Sequence, residues 1–453
     1  MTDVESHDAV GGLARTMRAL SARIDGELGM LGVDPDIARM ADLMDVLGSP
    51  QLSYPAVHVA GTNGKTSTTR MVDSLLRAFG LRTGRYTSPH LASVLERITL
   101  DGESITAGRF AAMYDELAPY FSFVDSRHSH PVTYFEALTA MGLAAFADAP
   151  IDVGVVEVGL GGRWDATNVL HAGTCVITPI SLDHTELLGP TLTAVAGEKA
   201  GIIHSDARVI SGVQTLEAAE VIVRRVAEVG AELAVEGVHF AVVDRKVALG
   251  GQTMSISGLA GTYDDLFLPL HGAHQASNAA CAVAAVECFL GGASAALDVH
   301  AVRAGLAAAD SPGRLEVVRR SPTVLLDGAH NPAGVLALAA ALEEAFTFDR
   351  LIGVVAILAD KDATAMLEGL ETVLHEIVVT TNTSPRALPA DVLADQAVAV
   401  FGVERVHRAS SLPDAIDVAV GLADEGGETG TGVLITGSLY TVGEARTLLK
   451  GSG

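Results

Sequence analysis

The chain has 453 residues, too many for one ordinary hydrophobic core, so we expect two or three domains. It carries 30 Lys and Arg against 55 Asp and Glu, a formal net charge of −25. That balance argues against a general binder of nucleic acid or of a membrane surface, because both need a basic face. An acidic, polar N-terminus and the absence of a long apolar run predict a cytoplasmic protein without a signal peptide or membrane span.

Cysteine usage points to the same compartment. Cys175, Cys281 and Cys288 lack CxxC spacing and lie in apolar stretches. We therefore predict buried thiols in a reducing environment.

Short β-branched runs alternate with helical patterns along most of the chain. Strands are predicted at "PAVHVAG" (55–61), "IDVGVVEVG" (151–159) and "TCVITPIS" (174–181), and a helix at "TYFEALTAMGLAAFAD". Apolar runs of this length are typical of strands buried on both faces of a parallel sheet. The alternation predicts a doubly wound, mostly parallel α/β fold.

The pattern changes between residues 240 and 270, where short antiparallel strands are predicted. "AADSPGRLEVV" then supplies a linker near 309–313, after which the α/β alternation resumes. The predicted domains are residues 1–308 and a smaller unit of residues 309–453. Polar groups at this junction, Arg314, Asp327, His330 and Asn331, are candidates for an inter-domain ligand site.

The stretch "HVAGTNGKTST" (58–68) is a glycine-rich turn between a strand and a helix. Gly61 and Gly64 let backbone N–H groups approach phosphate at a helix N-terminus. Lys65 is suited to neutralising the β- and γ-phosphates, and the Thr66 hydroxyl to binding Mg²⁺. The loop departs from G-x-x-x-x-G-K-[ST], since Val59 stands at the first glycine. The loop predicts a P-loop-type N-terminal domain, and the α/β alternation that resumes after the linker predicts a Rossmann-like C-terminal domain.

Two later strands end in metal-binding side chains. Glu157 lies near the end of an apolar strand, where a carboxylate is costly unless it binds a metal or pairs with a cation such as Arg163. Asp183 and His184 follow the next strand. Because ligands bind beyond the carboxyl ends of parallel strands, Glu157 and His184 are predicted to meet the phosphate loop at one sheet edge. Ser88, in the polar loop "YTSPHL", is equally consistent with a site or an ordinary loop.

Lys199, in "AVAGEKAGII", is one of only five lysines. In isolation it fits an exposed lysine near a helix end. However, a lysine in apolar surroundings near metals can lose its proton, whereas arginine cannot. A neutral amine can add CO₂ to give a carbamate, an oxygen ligand suited to Mg²⁺.

Together these stretches resemble the folylpolyglutamate synthase/dihydrofolate synthase family of the Mur ligase superfamily, over about residues 30 to 445. The resemblance rests on the following motifs, which occur in the family's order: "GTNGKTS", "YTSPHL", "ERI", "TYFEALT", "EVGLGGRWDATN", "LDHTELLG", "AGEKAGI", "HQASNAA", "PGRLE", "DGAHNP" and "DKD". The family's own loop form explains the departure at Val59. Residues 1–30 match nothing that we can place.

The resemblance implies a site. ATP would be bound by Asn63, Gly64, Lys65, Thr66, Ser67, Asn278, Arg314 and Asp327, with His330 beside them. Magnesium would be bound by Thr66, Ser88, Glu157, His184 and Lys199, the last as a carbamate. The pterin or pteroate would be lined by Thr133, Tyr134, Phe135, Glu136, Trp164, Asp165 and Ala166. Lys65, Lys199 and His330 would be the catalytic residues, and Trp164 departs from the aliphatic residue expected there.

The implied reaction is ATP-dependent addition of L-glutamate to dihydropteroate or to the terminal glutamate of a folate, through an acyl phosphate. A monomer acting on small molecules, with no nucleic acid or membrane partner, is expected. Two alternatives stay open: another Mur-type amide ligase, such as a UDP-muramoyl-peptide ligase, and a non-catalytic ATP-binding switch. "TYFEALT" and "YTSPHL" favour the folate branch, and the lysine of "AGEKAGI" argues against a switch.

Overall fold

A computed structural model describes residues 2–23, 37–425 and 430–450. The chain forms two compact units. The first contains Met1–Asp244, Ser255–Leu266 and Ser277–Ala309; the second contains Arg245–Met254, Phe267–Ala276 and Asp310–Gly453. The domains drawn from the sequence, 1–308 and 309–453, stay a prediction.

The first unit is built on an eight-stranded sheet. Its strands are β1 Ala56–Ala60, β2 Thr83–Tyr86, β3 Ile98–Leu100, β4 Glu103–Ser104, β5 Val153–Glu157, β6 Thr174–Ile177, β7 Arg208–Ser211 and β8 Glu232–Val235. They are arranged in the order β4-β3-β2-β5-β1-β6-β7-β8. The six strands from β2 to β8 in this order pair in parallel, and β3 and β4 extend one edge antiparallel.

Helices connect these strands and cover the sheet. They are α1 Thr2–Ser21, α2 Ala38–Val46, α3 Lys65–Ala78, α4 Ala107–Asp125, α5 Tyr134–Asp148, α6 Thr185–Leu188, α7 Leu192–Lys199 and α8 Leu216–Val229. Of the first thirty residues, which the motifs do not explain, most form α1, whose Leu20 is fully buried. Residues 1 and 24–30 lie outside the described ranges.

The strand order places a crossover point at β1. The chain runs from β1 to β2, returns through β5, and then continues on the other side of β1 with β6. All five residues of β1 are buried, as expected for a strand with both faces covered. Val59 pairs with Glu157, and Ala60 with Ile177, so β5, β1 and β6 end side by side. Such a crossover is where open α/β sheets bind ligands.

The segment after β8 forms a three-stranded sheet and two helices. Their bounds are β9 Ala241–Ala248, β10 Gly251–Ser257, β11 Thr262–Leu268, α9 Ala273–Gly291 and α10 Val299–Ala307. The sheet order is β11-β10-β9. Within the described residues, no helix is both long enough and apolar enough to cross a membrane.

The second unit repeats the α/β plan around a six-stranded sheet. Its elements are β12 Glu316–Arg320, β13 Thr323–Leu326, α11 Pro332–Ala345, β14 Arg350–Val355, α12 Ala363–Glu371, β15 Glu376–Val379, α13 Ala390–Phe401, β16 Val406–Arg408, α14 Leu412–Glu425, β17 Thr431–Thr436 and α15 Leu439–Lys450. The order is β12-β13-β17-β14-β15-β16, parallel except at β12. The predicted fold class, a mostly parallel N-terminal α/β domain with a second α/β domain, is confirmed.

Candidate active site

The loop that follows β1 needs its two glycines. Gly61 has φ 144°, and a Cβ there would lie 1.9 Å from Thr178 Oγ1. Gly64 has φ 89°, and its Cβ would lie 2.5 Å from Asn278 Oδ1. Any side chain at either position would therefore displace the loop or strain its backbone.

The loop is also fixed to the segment after β6. The N–H groups of Thr62 and Asn63 donate to Pro179 O, and the Thr62 hydroxyl donates to Ser181 O. Ser181 returns a bond from its own N–H to Thr62 Oγ1 at 3.1 Å. These contacts rigidify the phosphate loop before any ligand binds.

Helix α3 starts directly from this loop. Its N-cap residue is Gly64, which has no side chain to cap the first turn. Backbone N–H groups of a first turn have no partner within the helix and favour anions. Lys65 donates from Nζ to Thr62 O at 3.1 Å, so its ammonium already lies over the loop. Ser67 and Asn278, both predicted to bind ATP, are buried, with exposures of 2% and 4%.

Glu157 joins the phosphate loop to the Ser88 loop. Its side chain is buried at the end of β5, where Oε1 accepts from the Thr66 hydroxyl at 2.7 Å and Oε2 from the Ser88 N–H at 3.2 Å. Arg163, the alternative partner, lies elsewhere: it donates to Gly197 O and is 3.9 Å from Glu198. The structure thus brings three predicted magnesium ligands together.

The hydroxyl of Ser88 bears on whether a cation fits here. Ser88 is buried, and among the described residues its Oγ has no hydrogen-bond partner. A buried hydroxyl without a partner is costly, whereas hydroxyl and carboxylate oxygens are the donors that Mg²⁺ prefers. No group of three or more His, Cys, Asp or Glu within the described ranges could hold a metal. The Thr66 and Ser88 hydroxyls and the Glu157 carboxylate are oxygen donors, which suit Mg²⁺ more than zinc.

His184 follows Asp183 beyond β6 and precedes α6. Its backbone is left-handed, with φ 50°, and its N–H donates to Asp183 Oδ1 at 2.9 Å. A left-handed histidine is uncommon and marks a specified turn. The structure places His184 after the strand adjacent to β1, as the sequence predicts.

Lys199 ends α7 and is only 4% exposed. Its Nζ donates to Gly61 O at 2.7 Å, so the amine lies against the phosphate loop. Burial and, secondarily, the charge of Lys65 lower the pKa of Lys199 to about 7, against the opposing influence of Asp183 and Asp165. A large part of the population is therefore a neutral amine at neutral pH.

Two of the predicted pterin residues at the start of α5, Thr133 and Glu136, stabilise the first turn of the helix. Thr133 caps the helix, and Glu136 completes a capping box by accepting from the Thr133 N–H. Glu136 also accepts from Nε and Nη2 of Arg39, both at 2.8 Å, in a buried ion pair. Sequence reasoning missed Arg39, which is 97 residues away; the T-x-x-E capping signature was visible in the sequence.

Tyr134 and Phe135 lie in the first turn of α5, and both are buried. Arg97 of the "ERI" motif lies over the Tyr134 ring, 5.8 Å from its centre. A guanidinium over an aromatic face is attracted by the ring's electrons. The start of α5 is thus tied to the loop that carries Ser88.

The second predicted pterin segment is the loop of residues 159–169. Trp164 is half-buried against Gly161, and Ala166 is buried. Asp165 is fully buried, and its carboxylate accepts from the N–H groups of Leu160 and Thr167 and from the Thr167 hydroxyl. Burial raises the pKa of Asp165, and these hydrogen bonds oppose that rise. The Asp165 carboxylate therefore holds together the loop to which it belongs.

In the second unit, the predicted ATP residues surround the end of β13. Asp327 accepts from the N–H groups of Leu315 and Ala329, both at 2.9 Å, which fixes the backbone on either side. His330 donates from Nδ1 to Gly328 O at 2.8 Å. The guanidinium of Arg314 packs so closely on Gly328 that a Cβ there would lie 2.2 Å from Nη1. Arg314, Asp327 and His330 are thus neighbours within their unit.

Comparison with known protein families identifies both parts of the chain. The Mur ligase middle domain matches residues 59–286, and the Mur ligase glutamate ligase domain matches residues 313–439. The first range contains the phosphate loop, Glu157 and Lys199, and the second contains Arg314 and Asp327.

Individual relatives match over nearly the whole length. The dihydrofolate synthase/folylpolyglutamate synthase of Mycobacterium tuberculosis is 50% identical, covering 92% of this chain and 90% of the relative. The crystal structure of the Mycobacterium tuberculosis folylpolyglutamate synthase with ADP and AMPPCP superposes with a TM-score of 0.93 at 49% identity, covering 98% and 99%. E. coli FolC in complex with DHPP and ADP gives 0.81 at 32% identity, covering 92% and 94%. The chain therefore belongs to the dihydrofolate synthase/folylpolyglutamate synthase family of Mur ligases.

Proposed function

We propose that this protein is an ATP-dependent ligase that joins L-glutamate to dihydropteroate and to the γ-carboxylate of folates. The observation that carries the proposal is that the phosphate loop at the end of β1 is hydrogen bonded both to Glu157, through Thr66, and to Lys199 of α7, through Gly61. This arrangement occurs in a chain that is half identical to a dihydrofolate synthase/folylpolyglutamate synthase over 92% of its length.

The phosphate loop binds the triphosphate of ATP. Gly64 leaves the first turn of α3 open, and Lys65 lies next to it with its ammonium over the loop. Phosphoryl transfer needs positioning and neutralisation of charge more than a protein nucleophile. The preformed loop supplies the positioning, because Pro179 and Ser181 hold it in place.

Thr66, Ser88 and Glu157 are the residues that would hold Mg²⁺, with His184 as a further predicted ligand. When bound, the ion supplies positive charge against the phosphate oxygens. These side chains contribute a rigid set of oxygens, since the buried Glu157 carboxylate already orients the Thr66 hydroxyl and the Ser88 N–H.

Lys199 contributes a group whose charge depends on its chemical state. Its neutral amine can attack CO₂, forming an N–C bond and losing a proton, which gives an anionic carbamate. The modified side chain would present oxygen donors suited to a second Mg²⁺. It would also turn the repulsion between Lys199 and Lys65 into an attraction.

In the reaction, the substrate carboxylate takes the γ-phosphoryl group of ATP and releases ADP. The amine of L-glutamate then attacks the carbonyl carbon of the acyl phosphate, loses a proton and expels phosphate. The protein's part is to hold the reacting groups together and offset their charge. Such local positive charge reconciles anionic substrates with a net charge of −25.

The remaining predicted residues have assigned parts in this proposal. The segments Thr133–Glu136 and Trp164–Ala166 form the folate side, with Glu136 and Asp165 acting as supports, because their carboxylates are already hydrogen bonded. Arg314, Asp327, His330 and Asn278 are the further residues to which we assign contacts with ATP. The protein acts as a cytoplasmic monomer.

A panel of substrates tests the proposal. Purified protein with ATP, Mg²⁺ and L-glutamate is assayed for phosphate release with dihydropteroate, with tetrahydrofolate and with a UDP-muramoyl peptide. We expect glutamate-dependent release with both pterin substrates and none with the muramoyl peptide. Release with the muramoyl peptide alone, or ATP turnover indifferent to glutamate, would overturn the proposal.

A further inference from the structure

One histidine of the chain is buried inside a central strand of the sheet. His58 is in the middle of β1, fully buried, between Val156 of β5 and Cys175 of β6. Burial, with a smaller contribution from His204, lowers the pKa of His58 to about 3, so the ring is neutral at physiological pH. A buried polar ring in a central strand is costly unless it makes a specific hydrogen bond.

That hydrogen bond leads to the loop of residues 159–169. His58 Nε2 lies 2.8 Å from Thr167 Oγ1, and the Thr167 hydroxyl donates to Asp165 Oδ1 at 2.5 Å. A hydroxyl has one proton, and the Asp165 carboxylate receives it. His58 must therefore donate from Nε2, which fixes its tautomer and the direction of the whole chain of hydrogen bonds.

The same loop is bonded to the segment that carries Lys199. Arg163 N–H donates to Glu198 O at 2.9 Å, and the Asn168 amide donates to Gly201 O at 3.3 Å. The approach is close at Gly162, where a Cβ would lie 3.0 Å from Lys199 Cα. A displacement of the loop would thus move Lys199.

These contacts form a closed ring. β1 carries His58 and leads into Gly61, whose carbonyl accepts from Lys199. Lys199 follows Glu198, whose carbonyl accepts from Arg163 of the loop of residues 159–169. Thr167 of the same loop is hydrogen bonded to His58, which closes the ring. We propose that His58 is a positioning residue. Its donated hydrogen bond to Thr167 holds the loop of residues 159–169 in place relative to the phosphate loop. The folate side of the site and Lys199 are thereby held in position as well. This inference rests on the proposed function for its kinetic consequence, but not for its structural one.

Four substitutions distinguish the effect of losing the hydrogen bond from the effect of changing the volume of the side chain. His58→Leu removes the donor, whereas His58→Gln keeps an N–H group at the place of Nε2. Thr167→Val removes the hydroxyl, and Thr167→Ser keeps it. Val57→Ala is the matched control: Val57 is fully buried on the same strand, but adjacent strand residues point to opposite faces.

The structural claim is tested without substrate, by hydrogen exchange of wild-type and variant proteins read by mass spectrometry. In His58→Leu and Thr167→Val we expect exchange to rise by about tenfold or more in peptides covering 159–169 and 198–201, beyond any rise in Val57→Ala. His58→Gln and Thr167→Ser should stay within about threefold of wild type. Equal hydrogen-exchange rates of these peptides in the wild-type protein and in His58→Leu would show that His58 does not hold these segments in place.

The kinetic claim is tested with separate KM values for folate and ATP, corrected for the fraction of folded protein. We expect His58→Leu to lower kcat/KM for the folate substrate by about tenfold or more, while the KM for ATP stays within about threefold. The double variant His58→Leu/Thr167→Val should lose little more than either single variant, because both break one chain of bonds.

The outcomes distinguish the possible failures. If wild-type protein turns over folate and His58→Leu behaves like Val57→Ala, the positioning role is wrong and the proposed function stands. If wild-type protein does not use folates, the proposed function fails, and the exchange experiment still decides whether the ring exists. Additive losses in the double variant, or no recovery with His58→Gln, would also contradict the inference.

Discussion

Lys199 donates a 2.7 Å hydrogen bond from its buried Nζ to the carbonyl of Gly61, the first glycine of the phosphate loop. The contact joins the end of α7 to the end of β1. It puts an amine with a pKa lowered to about 7 beside the place where phosphate is predicted to bind. An arginine there would stay charged, which explains why this chain, with few lysines, has one at this position.

If Lys199 acts as an anion, a carboxylate should replace it and a cation should not. We expect Lys199→Ala to lower turnover by at least about 100-fold, with partial recovery on adding formate or acetate. Methylammonium, the matched cation, should give no recovery. Turnover is measured as phosphate release. Rescue by methylammonium, or full activity of Lys199→Arg, would show that the residue acts as a cation.

Glu157 offers a second test, because its buried carboxylate joins Thr66 and Ser88. Glu157→Gln keeps the shape but removes the charge, so turnover should fall by about 100-fold or more while the circular dichroism spectrum stays that of the wild type. The concentration of Mg²⁺ needed for half-maximal rate should rise as well. The exposed Glu186 of α6 supplies the control, Glu186→Gln, which we expect to be fully active. Near wild-type turnover in Glu157→Gln would remove Glu157 from the metal site.

Asp327 tests the nucleotide role of the second unit. Asp327→Ala removes the acceptor for the N–H groups of Leu315 and Ala329, which flank Arg314 and His330. We expect the Kd for ATP, measured by calorimetry, to rise by about tenfold. Asp395→Ala, at an exposed site on α13, is the control and should bind ATP normally. An unchanged Kd in Asp327→Ala would contradict the assignment.

The buried His58 predicts a pH dependence of stability. Its pKa is about 3 in the folded protein against 6.5 in the unfolded chain, so the unfolded state binds more protons between these values. Stability is therefore lost as pH falls from 6.5 towards 3, by about 2 kcal/mol over the first 1.5 units. His58→Gln lacks this proton and should lose that much less between pH 6.5 and about pH 5.

Urea titrations of wild-type protein and His58→Gln at these two pH values make the comparison. His204 lies near the ring and titrates too, but it is present in both proteins, so its contribution cancels. Parallel pH dependences in the two proteins would mean that His58 is not held neutral.

The sequence allowed prediction of those parts of the site that depend on short local patterns. A glycine-rich turn after an apolar strand, and a carboxylate or a histidine at a strand end, are readable because neighbouring parallel strands end at the same edge. The structure accordingly places the phosphate loop at the end of β1, Glu157 at the end of β5 and His184 in the loop after β6. The parallel α/β class followed from the same alternation.

The supporting contacts were not predictable because their partners are far apart in the chain. Arg39 pairs with Glu136 across 97 residues, and His58 with Thr167 across 109. Neither pair has a periodic pattern, and only the folded sheet brings its members together. Glu136 and Asp165 were predicted to line the pterin site, but the resemblance does not show that their carboxylates already hold their own loops. Their direct contact with substrate stays a prediction.

The most direct test of the central claim follows an oxygen atom. Tetrahydrofolate labelled with ¹⁸O in its γ-carboxylate is incubated with the protein, ATP, Mg²⁺ and L-glutamate, and the products are read by mass spectrometry. Ligation through an acyl phosphate predicts a folate heavier by one glutamyl residue, one ADP per bond formed, and one ¹⁸O in each phosphate released. Unlabelled phosphate, or phosphate released at the same rate without folate or glutamate, would contradict it.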